Sequence, residues 1–115
     1  MKALQREAAE ALDRIWFVQA LIEEERTDIT LSLRLNIRQD LFVQIFMGTQ
    51  TDVLYLSLIE DEQRIFGIDR EQDKWHKHPY DAVDQHEPLT EGLEPRPLFT
   101  FLSQVEQLLW EHDLL

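Results

Sequence analysis

The chain has 115 residues, enough for one domain with a real core, and its 43% apolar and 10% aromatic content belongs to a folded protein rather than a disordered one. It has no cysteine, so disulfides, thiolate zinc sites, iron–sulfur clusters and a cysteine nucleophile are excluded. Eleven Lys and Arg stand against 23 Asp and Glu, a net charge of −12 divided as −2, −3, −3 and −4 over residues 1–26, 27–68, 69–89 and 90–115; such a field disfavours nonspecific binding to nucleic acid and attracts a basic protein partner.

The opening run Met1-Lys2-Ala3-Leu4-Gln5-Arg6-Glu7 has no apolar core of a signal peptide, and no apolar stretch approaches the roughly 20 residues that span a bilayer. The expectation is a cytoplasmic protein with no membrane association. Leu4, Ala8, Ala11, Ile15, Val18 and Ile22 then recur in steps of four and three, which predicts a helix through about Glu24. From Ile29 the period falls to two. Ile29 to Ile37 alternates apolar and polar residues without error, and Leu41 to Met47, Val53 to Ile59 and Arg64 to Asp69 follow as further strands. Connections this short require antiparallel neighbours.

Residues 70 to 97 hold all four prolines and three of the four histidines. A fifth strand is expected through Lys74 to His78. After Pro97, suited to a first helical position, Leu98, Phe101, Leu102, Val105, Leu108, Leu109 and His112 form a second amphipathic stripe, with His112 at its C-terminal end as a cap. The predicted fold is one α+β domain over residues 1–115: two layers, an antiparallel meander sheet of four to five strands, and flanking N-terminal and C-terminal helices.

The chemistry concentrates in Phe66-Gly67-Ile68-Asp69-Arg70-Glu71-Gln72-Asp73-Lys74-Trp75-His76-Lys77-His78-Pro79-Tyr80 and the following His86. Proline after His78 pushes that residue toward extended backbone, and residues two apart on a strand share a face, so His76 and His78 should converge. Three readings follow. Paired imidazoles can act as general base and general acid on RNA, with Arg70, Lys74 or Lys77 stabilising phosphate charge and Trp75 or Tyr80 stacking on a base. Alternatively, His76 and His78 chelate a divalent metal with His86 or Asp69. In the third reading the histidines are a polar loop edge, and Trp75 and Tyr80 pack over the sheet. Asp69 can serve as a catalytic carboxylate, although an acidic residue at a strand end is more often a turn former.

The run Arg64-Ile65-Phe66-Gly67-Ile68-Asp69, then Trp75-His76-Lys77-His78-Pro79, then His86, resembles the TumE-like toxins of prokaryotic toxin–antitoxin systems, over roughly residues 29 to 88. The resemblance implies a small cytoplasmic toxin that targets RNA, encoded beside a helix-turn-helix antitoxin; by fold-level analogy, a helical N-terminus before a four-stranded antiparallel sheet also resembles metal-independent ribonuclease toxins, so no cofactor is expected. The positions it carries over are Asp69, Trp75, His76, His78, Pro79 and His86. Lys77 stands between the paired histidines where the family is richer in histidine. The −12 charge suits either an enzyme whose RNA is held by a ribosome or protein, or a relative that has lost its activity. The alternatives are a noncatalytic acidic interaction module, dimeric through an exposed sheet face bearing Phe42, Phe46 and Tyr55, and a metal-binding protein using the His-x-His loop.

Overall fold

Polar turns too short for a crossover make neighbours in sequence neighbours in space, and the computed structural model, which describes residues 1–115, carries that rule through an entire sheet. After helix α1 (Lys2–Arg14) the strands are β1 (Ala20–Arg26), β2 (Thr30–Arg38), β3 (Leu41–Gly48), β4 (Val53–Glu60), β5 (Gln63–Glu71), β6 (Lys74–His78) and β7 (Glu87–Leu89), followed by helix α2 (Pro97–Glu111). The strands lie in chain order, each antiparallel to the next, in one open sheet.

Sequence alternation becomes a division between faces. Leu31, Leu33 and Leu35 of β2, Leu41, Val43 and Ile45 of β3, Leu54, Leu56 and Leu58 of β4, and Phe66 and Ile68 of β5 are buried in one core cluster. Leu4, Ala8 and Ala11 of α1 and Leu98, Phe101, Leu102, Val105 and Leu109 of α2 close that cluster, so both helices cover the same face. Phe66 stacks on Phe101 at 5.5 Å between ring centroids, joining β5 to α2. The opposite face has no covering helix, and only the loop after β6 folds over part of it. There Phe46 stacks on Tyr55 and the Arg34 guanidinium lies 3.8 Å over the Phe42 ring, leaving these aromatics half-buried.

Two expectations are corrected. The first helix stops at Arg14, ten residues short of Glu24, and Ile15 is extended (φ −90°, ψ 114°). The run Ile15-Trp16-Phe17-Val18 is β-branched and aromatic, unfavourable in a helix, and both Phe17 and Val18 are buried; the residues beyond gain backbone pairing along β2 instead. Three consecutive glutamates, Glu23 to Glu25, thereby fall on an exposed edge strand, where they remain solvated. The sheet also has seven strands rather than four or five. β7 is only three residues long and contains Pro88, which lacks an amide donor and is tolerated because β7 is the other edge.

The two helices are also joined by a carboxylate. Arg96 precedes α2 and offers no side-chain cap, but buried Glu7 of α1 accepts the Phe99 N–H at 2.7 Å, satisfying one of α2's free amides. Burial pushes the Glu7 carboxyl above its ordinary value, against the opposing effect of the Phe99 and Leu98 amides and of Arg96. No helix is long and apolar enough to cross a membrane.

Candidate functional site

On the uncovered face, register sets β6 against β5 with Asp69 opposite His76 and Gly67 opposite His78. Lys74, His76 and His78 share this face by alternation, as the sequence pattern anticipates. After Pro79 the chain makes two successive turns, closed by Ala82 N–H to Pro79 O and Gln85 N–H to Ala82 O, and this brings His86 back over the strand. The three imidazoles gather: centroid separations are 4.4 Å for His78 and His86, 5.7 Å for His76 and His86, and 6.5 Å for His76 and His78.

The three are not equivalent. His78 is only 6% exposed and both of its ring nitrogens are engaged, Nε2 with Asp69 Oδ2 at 3.0 Å and Nδ1 with the Val83 carbonyl at 2.9 Å. A carboxylate and a carbonyl are both acceptors. An imidazole carrying a proton on each nitrogen would donate to both. Asp69, 4% exposed, accepts from the Arg64 guanidinium at 2.7 Å through its other oxygen. Arg64, Asp69 and His78 therefore form one chain of contacts centred on the buried Asp69 carboxylate. His76 is half-buried, with Nε2 3.3 Å from Glu71 Oε1, and His86 is exposed.

Gly67 makes the chain geometrically feasible. A Cβ at this position would lie 2.0 Å from a terminal nitrogen of Arg64 and 2.4 Å from its guanidinium carbon. The missing side chain leaves the space in which the guanidinium crosses β5 to reach Asp69. Tyr55, opposite Asp69 on β4, has its phenol pushed above the ordinary value first by burial, then by Glu71 and Asp69.

The other sequence candidates lie elsewhere. Trp75, 8% exposed, faces the helices and packs in the core, with the Arg70 guanidinium 5.8 Å from its ring. Arg70 is paired with Asp52 and Glu94, and Lys77 alternates to the same side as Trp75. Tyr80 stacks on His112, the C-cap of α2, at 3.9 Å. Of the proposed phosphate and base contacts, Lys74 alone shares the face of the imidazoles. No group of three or more His, Asp or Glu side chains is arranged to hold a metal ion; in the His cluster, both nitrogens of His78 are already engaged. A groove of about 820 Å³ borders β6 and β7, lined among others by Lys74, His76, Pro88 and Glu94.

The sequence reading did not identify Arg64, Glu71 or the Val83 carbonyl as members of the site. Arg64 was concealed by parity: under strict alternation residues 64 and 69 face opposite sides. A register shift at Leu58/Ile59 pairs Phe66 with Leu58 and Arg64 with Ile59, passing over Ile65 and turning Arg64 onto the face of Asp69.

What the fold and site define is an α+β domain with an imidazole cluster on the open face of its sheet, seated on a buried carboxylate, Asp69, that Arg64 also engages. Comparison with protein-family models, with curated proteins and with solved structures finds no match in any of the three.

Proposed function

We propose that this chain is a TumE-like toxin that cleaves RNA by acid–base chemistry, with His76 and His86 as the working pair and His78 as their positioning residue. The observation that carries this reading is the graded exposure of the imidazoles. The two outer rings, 5.7 Å apart, are accessible, while the third is held beneath them by Asp69 and Val83. A phosphodiester between the outer rings would lie within hydrogen-bonding reach of both. One imidazole takes the proton of a ribose 2′-hydroxyl, whose oxygen attacks phosphorus. The bond from phosphorus to the 5′-oxygen breaks, and the other imidazole gives that oxygen its proton. The products are a 2′,3′-cyclic phosphate and a free 5′-hydroxyl. Lys74 offers positive charge toward the phosphate.

Incubation of the purified chain with total cellular RNA tests the proposal. Cleavage is expected to persist in a chelator and to fall by about 10²–10⁴ in His76→Ala and in His86→Ala, the usual range for loss of a general acid or base. Cleavage unchanged in both variants, or none by the folded parent chain on either free or ribosome-bound RNA, would overturn it.

A further inference from the structure

The helix layer carries a second surface, on the side of the sheet away from the imidazoles. Trp16 and Trp110, two of the three tryptophans, are 54% and 70% exposed, and their rings lie 5.8 Å apart. Trp16 is held in place from two directions: its ring meets that of buried Phe17 edge to face, and its indole N–H donates to Glu106 at 2.5 Å. Leu12, in the last turn of α1, is also exposed. A fixed pair of indoles in water is a costly arrangement, and it is the type of side chain that dominates the energy of protein interfaces.

The charge around this pair has one dominant sign. From Pro97 to Leu115 there is no Lys or Arg, while Glu106, Glu111 and Asp113 lie in or just beyond α2. The last turn of α2 has no basic residue of its own to offset the negative pole of the helix dipole, and Trp110 lies in that turn; the one base that reaches the segment after it is Arg38, which donates to the Leu114 carbonyl and is itself paired with Glu60. The imidazole at this end, His112, is stacked on Tyr80. Arg14 is the only base from Leu12 to Ala20, and Asp13 adjoins it. A second copy of the chain would bring like charge against like, on top of −12 per molecule.

We propose that the Trp16–Trp110 surface is a docking site for a cationic amphipathic helical segment of another protein. Apolar side chains of the segment would cover the two indoles. Its Lys or Arg side chains would meet Glu106, Glu111 and the carbonyl end of α2, with the indole faces available to the same cations. This proposal is independent of the catalytic reading, since Trp16 and Trp110 take no part in the imidazole cluster.

The probe is an 18-residue synthetic helix with Leu at i, i+3, i+4 and i+7 spacing and Lys at the remaining positions. A scrambled peptide of the same composition and a version with Glu in place of Lys serve as controls. Binding to the full chain is read from tryptophan emission and by calorimetry. The amphipathic peptide is expected to shift emission to the blue and to bind at least tenfold more tightly than the scrambled one, with affinity falling as salt rises. Trp110→Ala should weaken binding at least tenfold, and the double variant Glu106→Gln, Glu111→Gln should weaken it and flatten the salt dependence. The Glu peptide should not bind. Equal binding by the scrambled peptide, or unchanged binding by Trp110→Ala, would overturn the proposal as generic attraction of opposite charges. Sedimentation showing that the chain alone dimerises, and that Trp110→Ala makes it monomeric, would overturn it in favour of a second copy. Trp110→Ala carries the test if Trp16→Ala fails to fold, and it should leave RNA cleavage unchanged.

Discussion

Replacing Asp69 by Asn and by Ala should separate the two demands made on this carboxylate. It accepts from Arg64 at 2.7 Å, lies 3.0 Å from His78 Nε2, and is only 4% exposed. Alanine removes the acceptor for both. The guanidinium is 27% exposed and recovers part of its hydration, whereas the His78 ring lies beneath the 79–86 loop and does not. Breaking a buried ion pair by removing one partner costs about 3–5 kcal/mol; the exposure of Arg64 places Asp69→Ala near the lower end, at about 3 kcal/mol. Asparagine behaves differently. Its oxygen can still accept from Arg64, while its amide can donate to Nε2 of a neutral His78 whose proton stays on Nδ1, facing the Val83 carbonyl. No buried group is left unsatisfied, and the expected cost falls to about 1–2 kcal/mol, that of exchanging charged hydrogen bonds for neutral ones. Urea unfolding with an unchanged slope is the assay, supported by thermal melts in which about 4 °C is expected per kcal/mol in a domain of this size. Asp69→Asn as costly as Asp69→Ala would refute the tautomer argument, and an Asp69→Ala cost below about 1 kcal/mol would show that no buried ion pair holds this region together.

Gly67→Ala forces the Arg64 guanidinium off Asp69, because the new Cβ takes its space; the expected cost is about 1 kcal/mol, net of the gain from removing glycine from a strand. In an Arg64→Met background the same change should be neutral or stabilising, and an equal cost in both backgrounds would show that the two residues are uncoupled. Glu7→Gln should stabilise the chain at pH 7. Burial raises the Glu7 carboxyl, so the folded chain binds its proton more tightly than the unfolded one: that contribution is full below the ordinary value of 4.5 and is lost as pH rises through the raised one. The advantage of Gln should therefore shrink as pH falls from 7 toward 4.5, and a pH-independent difference would contradict it. Glu7→Ala should instead destabilise by about 1 kcal/mol at pH 7 through loss of the bond to the Phe99 amide.

The sheet was legible where one periodicity had no competitor. β2 alternates over nine residues, and its turn to β3 is too short for any topology except a hairpin, so element type, partner and face all follow from the same residues. β1 was not legible because two periods fit it. Leu4, Ala8, Ala11, Ile15, Val18 and Ile22 make a sound helical stripe, yet only its first half is helical. What decides against the second half is the backbone pairing offered by β2, a tertiary gain that no local pattern records. The glycine-poor turns were a similar case. Asp40, Asp52, Asp61, Glu62 and Gln72 adopt positive φ in hairpins that contain no glycine there, and Asp tolerates this conformation better than most residues.

For the site, parity was both guide and obstacle. The spacing of His76 and His78 placed them on one face, and the same rule would have put Trp75, Lys77 and Arg70 on the other, separating the proposed base-stacking and phosphate-binding groups from the imidazoles. Arg64 entered only through a register shift, and the Val83 carbonyl only through a loop whose turns carry no glycine signal. Those two contacts decide how the histidines differ. Without Arg64 and Val83, the three rings form a symmetric cluster in which any member could serve as acid, base or ligand. With them, one ring is buried with both nitrogens engaged, while His76 keeps one nitrogen beside Glu71 and His86 is exposed, a difference set by features of β5 and the 79–86 loop that alternation does not encode.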